Sequence, residues 1–377
     1  MMKKQNLTKT MNSGVNFLIN YVVPIIFTIL VIFAIPLSGL SGEYLIKEIM
    51  IRLFRNSFLI LALLIPVMAG MGMNFSIVLG AMAGQIGLIF ITDWQIVGIS
   101  GMLLAILIST PIAVLLGYFA GIVLNRAKGN EMMAGFMLAF FMNGIYQLVV
   151  IYGMGSIIPI SNSSILLPRG YGIRNSINLI GIRQVLDKLI LLKIGGILII
   201  PVANLLVIAT LCVFIIWFRK TKLGQDVRTV GQDNDIARTL GIDVGRARIL
   251  SIVISTVLAC YGQIIFLQNL GTMNTYSSHE QVGVFAIAAL LVGGASVAEA
   301  NIPNVFVGVI LFHTIFVVSP RAGKELMGQA QLGEYFRVFV SYGIIAFSLA
   351  LYTWRKRIKK ENERKKAMAF KRGILVK

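Results

Sequence analysis

His279 and Glu280 stand side by side in SSHEQVG, residues 277–283, and an imidazole next to a carboxylate invites the question of catalysis or metal binding. A zinc helix of the H-E-x-x-H type needs a second histidine one turn on. Position 283 is glycine, and His313 is the other histidine of the chain. No metal ligand set and no catalytic group is therefore assigned. The chain has no G-x-S-x-G nucleophile turn and no G-x-x-x-x-G-K-[ST] phosphate loop, so it does not hold ATP in that manner. It is not expected to be an enzyme, and no cofactor is implied. His279 and Glu280 are expected at a span end or in an external loop rather than on a substrate.

What remains for chemistry is neutral and polar. Asn74, Gln85, Asn143 and Gln147 lie inside strongly apolar segments. Buried amides need partners. They can find them in a hydroxyl-rich solute passing along a polar route, or in each other as helix–helix hydrogen bonds. Both readings stand at this level. Ionisable residues fall near the ends of the apolar segments instead: Asp93, Glu131, Asp187, Lys193 and Glu280. Proton- and ion-coupled carriers bury such groups in mid-membrane as relays. A carrier built this way would need energy from outside itself.

The second polar feature is GQDNDIARTLGI, residues 231–242, set between two apolar stretches. Asp233 or Asn234 can cap a helix by accepting backbone N–H bonds. Asp235 suits the positive end of the dipole, and Gly241 can take the left-handed turn that ends a helix. Ile236, Ala237 and Leu240 are expected on one face, with Arg238 and Thr239 away from it. Such a helix is about 10 Å long and unstable alone in water. It must pack on its own bundle or dock into another protein.

The elements that position these residues follow from composition. Hydrophobic residues make up 57% of the 377 residues, charged residues 13%, and mean hydropathy is +0.85. Soluble domains carry about twice that charge. Ten apolar segments are expected to cross a bilayer, at roughly 19–39, 56–72, 75–92, 96–124, 131–153, 190–218, 248–269, 281–296, 302–319 and 334–354. The fold class is an all-α polytopic membrane protein with some short or broken helices. Of 34 Lys and Arg, 23 fall in 1–18, 125–131, 219–248 and 355–377. An even span count places all four segments on one side, cytoplasmic by the positive-inside rule. That sorting explains the net charge of +19 without nucleic acid. The tail 355–377 is an orientation anchor against anionic lipid. The run 19–39 is too long for a signal core and is expected to stay as the first span. Cys212 and Cys260 sit in apolar runs and are expected as buried small hydrophobes.

The segment LSGEYLIKEIMIRLFR, 40–55, has apolar residues at helical spacing and is expected to lie along the outer membrane surface. Residues 154–189 form the longest external loop, either a partner-facing element or a surface insertion. Two short glycine-broken segments, 69–87 and 285–296, occupy corresponding places in the two halves of the chain. Glycines there permit either close helix approach or local unwinding, and the pairing is the pattern of an internal repeat.

The stretch VGQDNDIARTLGIDVGRARILSIVISTVLACYGQ, 230–263, resembles the cytoplasmic coupling segment of ABC-importer permeases, in the branch that includes sugar, nucleoside and branched-chain amino acid permeases. Gly231, Asn234, Ala237, Gly241 and Ile242 match, while the usual alanine pair is reduced to Ile236–Ala237. FAIAALLVGGAS, 285–296, is similar to another segment of the family, although AEANIP replaces the glycine-rich turn that follows. GNEMMAGFMLAFFMNGI at 129–145 and ISNSSILLP at 160–168 resemble nucleoside and simple-sugar permeases. GMNFSIVLGAMAGQIG, 72–87, is a looser match that shares Asn74 and Gln85. The similarity covers most of 60–320.

The resemblance implies a permease domain over 19–354 and three protein partners: a cytoplasmic ATPase, a second permease (identical or not) and an extracellular substrate-binding protein. It implies a prokaryotic plasma membrane with both termini cytoplasmic. Asp233, Asn234, Ile236, Ala237, Arg238, Leu240 and Gly241 would couple to the ATPase. The expected solute is a nucleoside or simple sugar, with a branched-chain amino acid as the alternative. An ion-coupled carrier is the reading from another class.

Overall fold

The computed structural model describes residues 22–194, 198–329 and 331–354, apart from 341, 348, 349, 351 and 352. The N-terminal segment 1–18 and the basic tail 355–377 lie outside the described residues. The chain is helical, with two small β-hairpin-like pairs.

Helix α1 (Val22–Ser38) leads into α2 (Gly42–Ala62) and its short continuation α3 (Leu64–Met68). After an unwound stretch come α4 (Ile77–Asp93), α5 (Gly98–Arg126) and α6 (Glu131–Leu148). A long loop carries β1 (Ser176–Asn178) and α7 (Val185–Leu189). The pair β2 (Leu191–Ile194) and β3 (Leu198–Pro201) precedes α8 (Val202–Phe218), α9 (Lys222–Gln232) and α10 (Asn234–Thr239). Helix α11 (Val244–Leu270) follows, then β4 (Thr272–Asn274), α12 (Ser278–Val292) and α13 (Ile302–Met327).

Helix α11 is the hub, packed against α2, α4 and α5. Glycine makes this closeness work. A Cβ on Gly80 of α4 would sit 2.2 Å from the Thr256 carbonyl oxygen, and one on Gly84 2.8 Å from that of Cys260. The helix glycines of 69–87 thus serve backbone approach, as small residues do in membrane bundles. Unwinding is confined to residues 69–76, where Gly70 and Gly72 have φ of 69° and 72°. The second broken segment behaves alike: α12 ends at Val292 and Gly294 takes φ 87°. Cys260 is fully buried beside these contacts, whereas Cys212 is half-buried.

Five helices among the described residues are long and apolar enough to cross a membrane: Gly42–Met68, Gly98–Arg126, Glu131–Gly153, Val244–Leu270 and Ile302–Leu326. The pair α8 and α9, bent by 74°, would make a sixth. Helices α1, α4 and α12 are apolar but shorter. The structure therefore supports a multi-pass helical bundle without confirming ten spans.

Two boundaries differ from the sequence reading. Residues 40–55 do not form a separate surface helix. They are the first half of Gly42–Met68, with Lys47 paired with Glu43 at 2.7 Å and Arg52 with Glu48 at 2.9 Å, while Arg55 donates to Asn269 Oδ1 at 3.3 Å. The expected span 190–218 begins instead as the β2–β3 pair, and only Val202–Phe218 is α-helical.

The loop 154–189 is no loose insertion. Met154, Ile173, Ile177 and Ile182 are buried. The Asp93 carboxylate accepts the backbone N–H groups of Ser161 and Asn162, both at 2.8 Å. Strand β1 pairs antiparallel with β4. The 27-residue α11 is about 40 Å long, with α10 just before its start and β4 just after its end. Those two features therefore mark opposite ends of the bundle.

Candidate functional site

At the α10 end, Asp233 has extended backbone, and its Oδ1 accepts from the N–H groups of Asp235 (2.8 Å) and Ile236 (3.1 Å). Asp233 is thus the cap, and Asn234 is the first helical residue. Arg238 reaches Asp235 at 3.5 Å on the open surface. Gly241 takes φ 76° and donates its N–H to the Arg238 carbonyl at 3.0 Å, ending the helix. A Cβ there would meet nothing within 4 Å, so only its backbone favours glycine.

One placement differs from expectation. Ile236 and Leu240 are 56% and 66% exposed, but Ala237 is 0% exposed. It sits about 100° around the helix from Ile236, on the side that packs against α9 and α11. Ala237 is the seat of the helix, and Ile236 with Leu240 is its outward face. Gly231, just upstream, lies backbone to backbone on the unwound stretch: a Cβ there would be 2.1 Å from the Met68 carbonyl oxygen.

A buried ion pair lies nearby. Arg248, in the second turn of α11, donates to the Glu131 carboxylate at the start of α6, and both side chains are largely buried. The pair ties α6 to the helix that leaves the α10 loop.

Near the β4 end, three of the four amides singled out in the sequence come together. Tyr146 donates its hydroxyl to Gln85 Oε1 at 2.9 Å, and Gln85 Nε2 donates to Ser278 Oγ at 2.7 Å. Gln147 Nε2 donates to Asn143 Oδ1 (3.4 Å) and to the Tyr276 carbonyl (3.3 Å). The residue that joins them is His279, fully buried, with Nδ1 2.9 Å from Gln85 Oε1 and Nε2 2.9 Å from Asn143 Oδ1. Its ring stands edge-on to Tyr146 at 4.9 Å. Asn143 Nδ2 donates in turn to the Glu280 carboxylate.

His279 lies at a span end, in the first turn of α12, as one of the two sequence readings had it, but it faces the bundle interior. Its joining role was missed because its partners lie 194 and 136 positions away; the signal available was a histidine leading an apolar segment. Asn74 is elsewhere. Its Oδ1 accepts from the N–H and hydroxyl of Ser76, and its Nδ2 reaches Ser255 Oγ at 3.5 Å. It closes a turn before α4, about 16 Å along that helix from Gln85.

The β1–β4 pair and Tyr276 close the network's end of the bundle. The Tyr276 hydroxyl donates to the Ile173 carbonyl at 2.6 Å. Burial holds this phenol above the ordinary tyrosine range, with Arg169 pulling the other way, so it stays a donor.

The helical bundle thus carries a capped helix at one end and a polar network near the other. The chain belongs to the family described as "Branched-chain amino acid transport system / permease component", which it matches over residues 46–349. It is similar to the probable ABC transporter permease YphD of Escherichia coli, 31% identical over 123 residues, 32% of this chain and 37% of that protein. It is similar to the xylose transport system permease XylH of Haemophilus influenzae, 29% identical over 157 residues, 42% and 40% of the two chains. It is also similar to the nucleoside ABC transporter permease NupC of Lactococcus lactis, 27% identical over 147 residues, 39% and 44%. The chain aligns with about two fifths of the length of these relatives. No solved structure matches it.

Proposed function

We propose that the chain is the permease subunit of an ATP-driven importer of a small hydroxyl-bearing solute, a nucleoside or simple sugar. The observation that carries this reading is α10, a capped helix whose two large apolar side chains, Ile236 and Leu240, face away from the bundle. A separate ATPase would receive that face, with Asp233 and Arg238 at its polar rim. Gly241 would set the exit of the chain, and Asn234 the first exposed turn. The names of the xylose and nucleoside permeases support the solute class. Gln85, Asn143 and Gln147 would line or flank the route; Asn74 would act on it through helix contact. A second permease subunit and an extracellular binding protein complete the assembly. Reconstituted with its ATPase in liposomes, the complex should take up tritiated uridine, xylose or galactose only when ATP is supplied on the ATPase side. Uptake driven by a proton gradient without ATP would overturn this reading in favour of a secondary carrier.

The orientation is part of the same proposal. Both termini and residues 219–248 face the cytoplasm, 154–189 faces outside, and ten segments across 19–354 cross or enter the bilayer. In a protein lacking Cys212 and Cys260, the exposed positions Ser163 and Gln232 serve as reporters. Ser163→Cys should react with an impermeant maleimide added to whole cells, and Gln232→Cys should not. The reverse pattern would invert the topology.

A further inference from the structure

Among the acidic side chains at the β4 end of the bundle, Glu280 stands apart. Glu48 is matched by Arg52 and Glu43 by Lys47. Asp93 takes two backbone N–H groups. Asp187 takes the side-chain amides of Asn204, Gln268 and Asn269. Glu280 is half-buried at the start of an apolar helix, yet no Lys or Arg among the described residues pairs with it. Its hydrogen bond comes from the Asn143 amide. A carboxylate is acceptor-only with about four lone-pair sites, so most of its accepting capacity is open. Leaving a charged group short of partners in apolar surroundings is costly.

The network is also graded. Gln85, Tyr146 and His279 are buried behind; Asn143, Gln147 and Glu280 are half-exposed in front. His279 acts on the front rank by position: its Nε2 lies on Asn143 Oδ1, which turns Asn143 Nδ2 to the carboxylate. Gln263, fully buried, donates to Ser278 Oγ at 3.2 Å while its Oε1 has no protein partner. The front rank therefore offers one anionic acceptor beside two amides that both donate and accept.

We propose that Glu280, flanked by Asn143 and Gln147, recognises a vicinal diol of the transported solute, its carboxylate oxygens accepting hydrogen bonds from the two hydroxyls. This rests on the reading of the chain as a permease for hydroxyl-bearing solutes. A ribose and a pyranose share that group, so one site serves either candidate. An α-amino acid fits less well. Its ammonium would suit Glu280, but its own carboxylate would meet no cation beside Glu280 among the described residues. Hydrogen bonds to a charged acceptor are the strong ones, and a buried acceptor left unpaired discriminates sharply against an analogue lacking the donor.

The test uses the permease assembled with its ATPase, the second permease subunit and the extracellular binding protein in proteoliposomes, with four labelled probes: uridine, xylose, galactose and leucine. For whichever diol is carried, the analogue lacking one hydroxyl of the pair (2′-deoxyuridine, or the 2-deoxy sugar) is run alongside. The wild type should carry the diol at least tenfold faster than its deoxy analogue. E280Q, which keeps shape and removes the charge, should lose diol uptake at least tenfold while deoxy uptake changes less than threefold. Co-purified ATPase, unchanged in amount, confirms assembly. Equal transport of diol and analogue by the wild type overturns the inference without any variant, as does full discrimination kept by E280Q. Both of those leave the permease reading intact. Uptake of leucine, or of none of the four probes, overturns the solute reading and the inference together.

Discussion

Ile236→Asp combined with Leu240→Asp will part the permease from its ATPase and stop uptake while the bundle stays inserted and folded. Both side chains are mostly exposed in the isolated chain, so the substitutions leave its own packing untouched. On docking, each would bury a side chain worth about 1.5–3 kcal/mol. Losing both removes roughly 3–6 kcal/mol, a hundredfold or more in affinity, before the cost of placing two carboxylates at an apolar contact. Co-purification with the tagged ATPase and ATP-dependent uptake are the two readouts. A double variant that still co-purifies and transports at wild-type rate would show that α10 is only a connector. Ala237→Glu is the less informative substitution. Ala237 is fully buried within the chain, so a charge there would disrupt the loop itself, and a loss of ATPase could not be assigned to the interface.

The second large effect belongs to the Arg248–Glu131 pair. Both groups are withdrawn from water. Removing one partner strands the other charge and costs about 3–5 kcal/mol, whereas replacing both with apolar residues is often neutral. Glu131→Ala and Arg248→Ala should each lower the temperature at which the detergent-solubilised protein loses its monodisperse peak. Glu131→Leu with Arg248→Met should restore most of that loss. If the single variants and the double variant melt together with the wild type, the pair makes no contribution to holding α6 on α11. A double variant that is stable but does not transport would show that the pair serves movement rather than stability.

Much of this architecture could be read before any coordinates. Apolar runs of helical length placed α5, α6, α11 and the start of α13 close to their observed bounds, because an apolar helix of spanning length leaves an uninterrupted signal whether it faces lipid or is buried. The capped turn at 233–241 was legible because Asp233 and Gly241 act locally, within a few residues of the backbone they serve. Four features were not. The charges of 43–55 looked amphipathic, and nothing local shows that they pair with each other as the helix continues. LLKI and LIIP are as apolar as a span, and β-branched residues fit a strand equally well. Ala237 was put on the wrong side because its seat is made by α9 and α11, which periodicity over two turns does not specify. His279 is the plainest case. Its role exists only once α4, α6 and α12 are brought together.

The contact between Gly231 and the stretch Met68–Gly70 has a mechanical consequence. Side chains are compliant: pushed, they swing to another rotamer and absorb the displacement. Two main chains in touch have no such slack, and here a single added carbon would come within 2.1 Å of a carbonyl oxygen. The chain just before α10 therefore rests on the unwound stretch like the short arm of a lever on its fulcrum. On the proposed coupling role of α10, a push on the outward face would reach the root of α4, whose far half carries Gln85, through this main-chain contact.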